Sequence, residues 1–71
     1  MRITRPIDPR YGDIIKREMT AQGITRAELA RAAGLAYTTI WRIEHGVVEP
    51  TLSTLGDIAV ALGRDVADLH P

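Results

Sequence analysis

Cysteine is absent from this 71-residue chain. Neither a disulfide nor a thiolate zinc site can staple it, which suits a reducing compartment. Histidine is scarce: the two, His45 and His70, stand far apart. His45 beside Glu44 and Glu49 lacks the spacing of a metal ligand set, so no metal and no cofactor are expected. No apolar run approaches the length of a membrane span, and the first residues lack the apolar core of a signal peptide. The expected location is cytoplasmic, with no membrane contact. Internal repeats and low-complexity tracts are missing too. The short chain makes one domain, which must pack its helices closely or pair with another chain to be stable. Without cysteine, with separated histidines and with little room for a pocket, it is not expected to be an enzyme.

Net charge is also absent, with nine Lys/Arg against nine Asp/Glu. The distribution is uneven, however. Residues 1–45 hold eight basic side chains against five acidic ones, whereas residues 46–71 hold only Arg64 against Glu49, Asp57, Asp65 and Asp68. A basic half and an acidic half suggest one face offered to an anion and another turned away from it.

What is present centres on Thr25–Gly46, TRAELARAAGLAYTTIWRIEHG. Thr25 and Glu28 have the spacing of a capping box, in which each side chain satisfies an amide of the first helical turn. Leu29, Ala30 and Ala33 then share one face, and Gly34 supplies a left-handed stop. Leu35 reads as buried. A second helix starts near Ala36, turns Ile40 and Ile43 inward and stops at Gly46. Two helices joined by so short a turn must cross steeply, so the second projects.

Residues 1–8 (MRITRPID) read as a basic N-terminal arm, and residues 9–71 as the folded domain. Pro6 and Pro9 push the residues before them out of the helical region. The arm, with Arg2 and Arg5, lies along phosphates or in a minor groove, contacts a dimer partner through Ile3 and Ile7, or frays. Asp8 is placed as N-cap of helix one, with Pro9 at its first position. Tyr11, Ile14, Ile15, Glu18 and Met19 form its repeat, and Gly23 ends it. Thr51 or Ser53 caps a fourth helix with an inward stripe of Leu52, Leu55, Ile58, Ala59 and Leu62, stopped by Gly63. Asp65 caps a last turn that returns Val66 and Leu69 to the core. The expectation is an all-α domain of five helices.

Thr25, Glu28-Leu29-Ala30, Gly34, Ile40, Arg42-Ile43-Glu44 and Gly46 resemble the helix-turn-helix of the phage repressor and Cro family, also called XRE-like. Gly12 and Ile15 match before that stretch. Pro50, Leu55, Ile58-Ala59 and Ala61-Leu62-Gly63 match after it, so the resemblance spans Tyr11 to Leu69. It implies a compact lambda-repressor-like DNA-binding domain whose helices two and three form the motif. Family members often carry Leu-Arg where this chain has Glu18-Met19, and that Arg pairs with the glutamate late in the recognition helix, here Glu44. An acid in a last helical turn opposes the helix dipole and needs a partner or water. Arg17 or Arg31 can take that part, or helix one sits rotated.

By the same resemblance, Ala36, Tyr37, Thr38 and Arg42 occupy base-reading positions. Arg42 is the leading candidate, because a guanidinium bonds guanine O6 and N7 together. Thr25, Arg26, Arg31, Arg10 and His45 are candidates for phosphate contact; for each cation, plain exposure to water is the alternative. Trp41 is placed to the side of the Tyr37–Arg42 face, so packing on the arm or helix four comes first, a dimer or other protein contact second, and contact with a base last.

The implied function is a sequence-specific, DNA-binding transcriptional regulator, a repressor acting as a homodimer on a double-stranded operator. Two alternatives stand beside it. PIDPRYGDIIKREM faintly resembles the start of small antitoxins of the HigA type, which bind a toxin and repress their own operon. A module that has lost DNA binding and acts as a protein adaptor is the other.

Overall fold

The computed structural model describes residues 6–71. Five α-helices follow in order: α1 (Arg10–Gln22), α2 (Arg26–Ala33), α3 (Tyr37–Glu44), α4 (Leu52–Leu62) and α5 (Val66–Leu69). No strand occurs among the described residues. The structure is the all-helical architecture that the apolar spacing calls for. The suggested contacts of Arg2 and Arg5, and the dimer contact of Ile3, lie outside the described residues.

Local chemistry sets the helix ends. Thr25 and Glu28 form the full capping box at α2, and Asp65 with Asp68 forms another at α5. The Thr51 hydroxyl accepts from the Thr54 amide at the start of α4. Pro9 sits one residue earlier than expected, at the N-cap position of α1 rather than inside the helix. Asp8 still caps in effect: its carboxylate accepts from the Arg10 amide at 2.9 Å.

The core gathers Ile15 and Met19 of α1, Leu29 and Ala30 of α2, Ile40 and Ile43 of α3, Leu55, Ile58, Ala59 and Leu62 of α4, and Leu69 of α5. Leu35 and Val66 pack against it partly buried. Leu52 departs from expectation and is 77% exposed. Side chains on a helix lean toward its N-terminus, so an apolar residue in the first turn of α4 projects past the end of the core.

The acidic C-terminal quarter is tied back to α1. Gln22 donates to the Leu62 carbonyl at 2.7 Å, and Arg64 donates to Glu18 at 2.8 Å. His70 meets the Tyr11 ring edge-on at 5.4 Å between centroids. Glu18, expected in the apolar repeat, is thus a polar strut between α1 and the turn after α4.

Two of these ties carry a pH dependence. Arg64 foremost, then Gln22, holds the Glu18 carboxyl below its usual range, and bonds to Thr25 do the same for Glu28. A carboxyl whose folded pKa is depressed stabilises the fold fully above its unfolded value of about 4.3 and loses that contribution as pH falls through the folded value. Melting temperature should therefore be flat near neutrality with respect to these groups and fall below about pH 4. Glu28→Gln keeps a side-chain acceptor for the Thr25 amide but cannot titrate. Thermal melts between pH 3 and 6 should show a shallower acid limb for that variant; an unchanged limb would remove Glu28 from the explanation.

Candidate nucleic-acid interface

The interface begins with how α2 and α3 are joined. Gly34, at φ 69°, reverses the chain after α2, and its amide closes onto Ala30 and Arg31 carbonyls. Leu35 then anchors the turn partly buried, and Ala36 opens α3 in extended conformation without a side-chain cap. The inner side of α3 holds Ile40, Ile43 and Glu44. Its outer side carries Tyr37, Thr38, Trp41 and Arg42, all exposed, as is His45 just past its end.

Glu44 resolves differently from either expectation. Its side chain is only 3% exposed, and its partner is Arg26 at the start of α2 rather than Arg17 or Arg31. The Arg26 Nε donates to the Glu44 carboxylate, while a terminal nitrogen donates to the Tyr37 hydroxyl at 2.8 Å. The guanidinium carbon also lies 5.4 Å from the Tyr37 ring centroid. Glu44 foremost, then Tyr37, raises the Arg26 pKa above its ordinary value. Met19, which stands where the resembled family often has arginine, is buried in the core. The partner of Glu44 comes from α2 rather than α1, and it clips the start of α2 to both ends of α3.

The sequence held a signal for this. Met19 leaves Glu44 without its usual partner, and Arg26 stands where the family often has glutamine. Which of three nearby arginines takes the role depends on the crossing of α2 and α3, which spacing alone does not give. Arg26→Ala strands a nearly buried carboxylate at a helix C-terminus, so it should lower the melting temperature more than Arg31→Ala does. Arg26→Lys, which keeps charge but loses the fork, should fall between. Equal melting temperatures for all three variants would contradict the clip.

The other candidates are distributed as follows. Arg10 is 68% exposed on its side chain and is bonded to Asp8 at 2.8 Å, which raises its pKa. Arg31 and Arg42 are exposed and form no ion pair among the described residues. Thr25 is occupied in the capping box. Trp41 stacks on His45, with ring centroids 3.9 Å apart and planes inclined by 16°. The His45 Nδ1 lies 2.8 Å from the Trp41 carbonyl oxygen. A carbonyl only accepts, so Nδ1 carries the proton and donates.

Trp41 is also not to the side of the Tyr37–Arg42 face. At about 100° per residue, Tyr37, Trp41, His45, Thr38 and Arg42 fall at roughly 0°, 40°, 80°, 100° and 140° around α3. Trp41 lies between the outer two.

A helix-turn-helix family profile matches residues 15–69. The chain belongs to the XRE-like helix-turn-helix family. Among solved structures, the restriction-modification controller protein C.AhdI from Aeromonas hydrophila superposes with a TM-score of 0.83 at 24% identity, covering 86% of this chain and 92% of that one. The clp gene regulator ClgR from C. glutamicum gives 0.82 at 26% identity, covering 93% and 86%. A hypothetical transcription factor, NHTF from Neisseria, gives 0.80 at 25% identity, covering 97% and 82%. No curated protein matches the sequence. Family and fold are those of DNA-binding transcription regulators rather than enzymes. No helix among the described residues is long and apolar enough to cross a membrane.

Proposed function

We propose that this helix-turn-helix protein is a repressor that binds a two-fold operator as a homodimer and inserts α3 into the major groove. The observation that carries this reading is the outer side of α3, where Tyr37, Thr38 and Arg42 are exposed while Ile40, Ile43 and Glu44 hold the helix to the core. A projecting helix fits the major groove, whose base edges present a distinguishable pattern of donors and acceptors. Arg42 reads guanine; Tyr37, Thr38 and the small Ala36 complete the base-reading set. Thr25 with the first amides of α2, Arg31, Arg10 and His45 meet phosphates. Arg26 orients Tyr37 and offers its remaining N–H groups to the same backbone. One such domain covers only a few base pairs, so specificity calls for two, with half-sites centred about 34 Å apart.

The test is selection of bound sequences from a random DNA pool with the purified chain at moderate salt. A two-fold motif with half-sites one turn apart is the expected result. A single half-site would overturn the dimer. Failure to enrich any sequence, even at low salt, would overturn the regulator and favour a protein partner, a toxin among them; exposed Trp41, Val47 and Leu52 supply apolar surface for one.

A further inference from the structure

We infer that Trp41, held flat by the His45 ring stacked behind it, reaches between Tyr37 and Arg42 into the major groove, with the indole packing on thymine methyl groups while His45 stays toward the phosphates. The inference rests on the DNA-binding reading and adds a specificity element to it.

The exposed arc of α3 runs from Tyr37 to Arg42, and its middle is occupied by Trp41 and His45, at roughly 40° and 80° on the helix. The two rings are nearly parallel and in contact. The imidazole is further held by its Nδ1–H bond to the Trp41 carbonyl. The pair is therefore a stiff, flat ridge one turn long, of which the indole is 41% exposed. A major groove is about 12 Å wide and a helix with its side chains about 10–12 Å across, so little space remains beside the helix. If Tyr37 and Arg42 both approach base edges, the ring between them cannot stand clear of the DNA. An indole face offers no acceptor and only one N–H, so the base feature it matches by its plane is apolar: the C5-methyl group of thymine. The alternative for a broad exposed aromatic in this place is a protein surface that keeps α3 out of the groove altogether.

Trp41 is the only tryptophan in the chain, so its emission reports on this ridge alone. The experiment uses the operator recovered by the selection above. Binding should reduce acrylamide quenching of Trp41 emission severalfold. Replacing thymine by uracil, one position at a time, should weaken binding about 5- to 10-fold at one or two positions, because only the methyl is removed. Trp41→Ala should weaken the natural operator by a similar factor or more and be indifferent to those uracil substitutions. Trp41→Phe should retain part of the effect. Melting curves of both variants guard against misfolding, and the quenching measurement on the unaltered protein needs no variant. An operator that is bound while Trp41 stays as accessible as in free protein, with no uracil effect, would overturn the ridge and leave the regulator standing. A chain that selects no DNA would overturn both, and would assign the ridge to a protein contact.

Discussion

Gly12→Ala should cost a large share of the stability of this domain. A Cβ built on Gly12 would lie 2.3 Å from the Ile43 carbonyl oxygen and 2.9 Å from the Glu44 Cα. Both are backbone atoms at the end of α3, so no rotamer change relieves the contact. Alanine in a helix interior is intrinsically better than glycine by about 1 kcal/mol. Overpacking against a well-packed neighbour costs about 1–3 kcal/mol and more where nothing yields. Here the steric cost wins, and a net loss of about 2–4 kcal/mol is expected. A domain of this length has only about 4–10 kcal/mol to lose. Gly56 is the control. It is also inside a helix, but a Cβ there meets nothing within 4 Å. Gly56→Ala should stabilise by about 0.5–1 kcal/mol. Denaturant unfolding of the two variants measures both signs at once; a Gly12→Ala protein as stable as the parent would mean that α1 does not sit this close to α3.

Arg42→Ala should relax specificity rather than stability. The residue is exposed at the edge of the α3 outer face and forms no ion pair among the described residues, so the fold does not depend on its charge. A bidentate arginine–guanine pair discriminates by about 1–3 kcal/mol, or roughly 5- to 150-fold. The variant should therefore bind the selected operator more weakly by that order and lose preference at one base position in each half-site. Binding to unrelated DNA should change far less. Competition titrations against single-base operator variants read the difference. A uniform loss across all sequences, with the salt slope reduced by about one, would make Arg42 a phosphate contact instead.

Much of this protein is local, and local features are legible. The capping boxes at Thr25–Glu28 and Asp65–Asp68 act within four residues, and Gly23, Gly34 and Gly63 act through their own backbone angles. The inward stripes of α1, α3 and α4 follow from helical period, with Glu18 and Leu52 as exceptions because period says nothing about where neighbouring elements lie or end. The outward face of α3 was legible to the same depth. Tyr37, Thr38 and Arg42 had to face outward once Ile40 and Ile43 faced inward.

By itself, then, the sequence determined the number of helices, their ends to within about a residue or two, most of the inward faces and the identity of a projecting second helix in the motif, because caps and period act over one or two turns. Only the tertiary structure decided three things. It placed Arg26 rather than another arginine on Glu44, because that pairing spans 18 residues and depends on how α2 crosses α3. It gave Gly12 its reason, which is the approach of two backbones and has no local signature. It laid the Trp41 ring flat on His45, because helical period gives the side of α3 on which both stand but not the rotamers that stack them. Each is a relation between side chains or backbones whose separation in space the chain's order does not state.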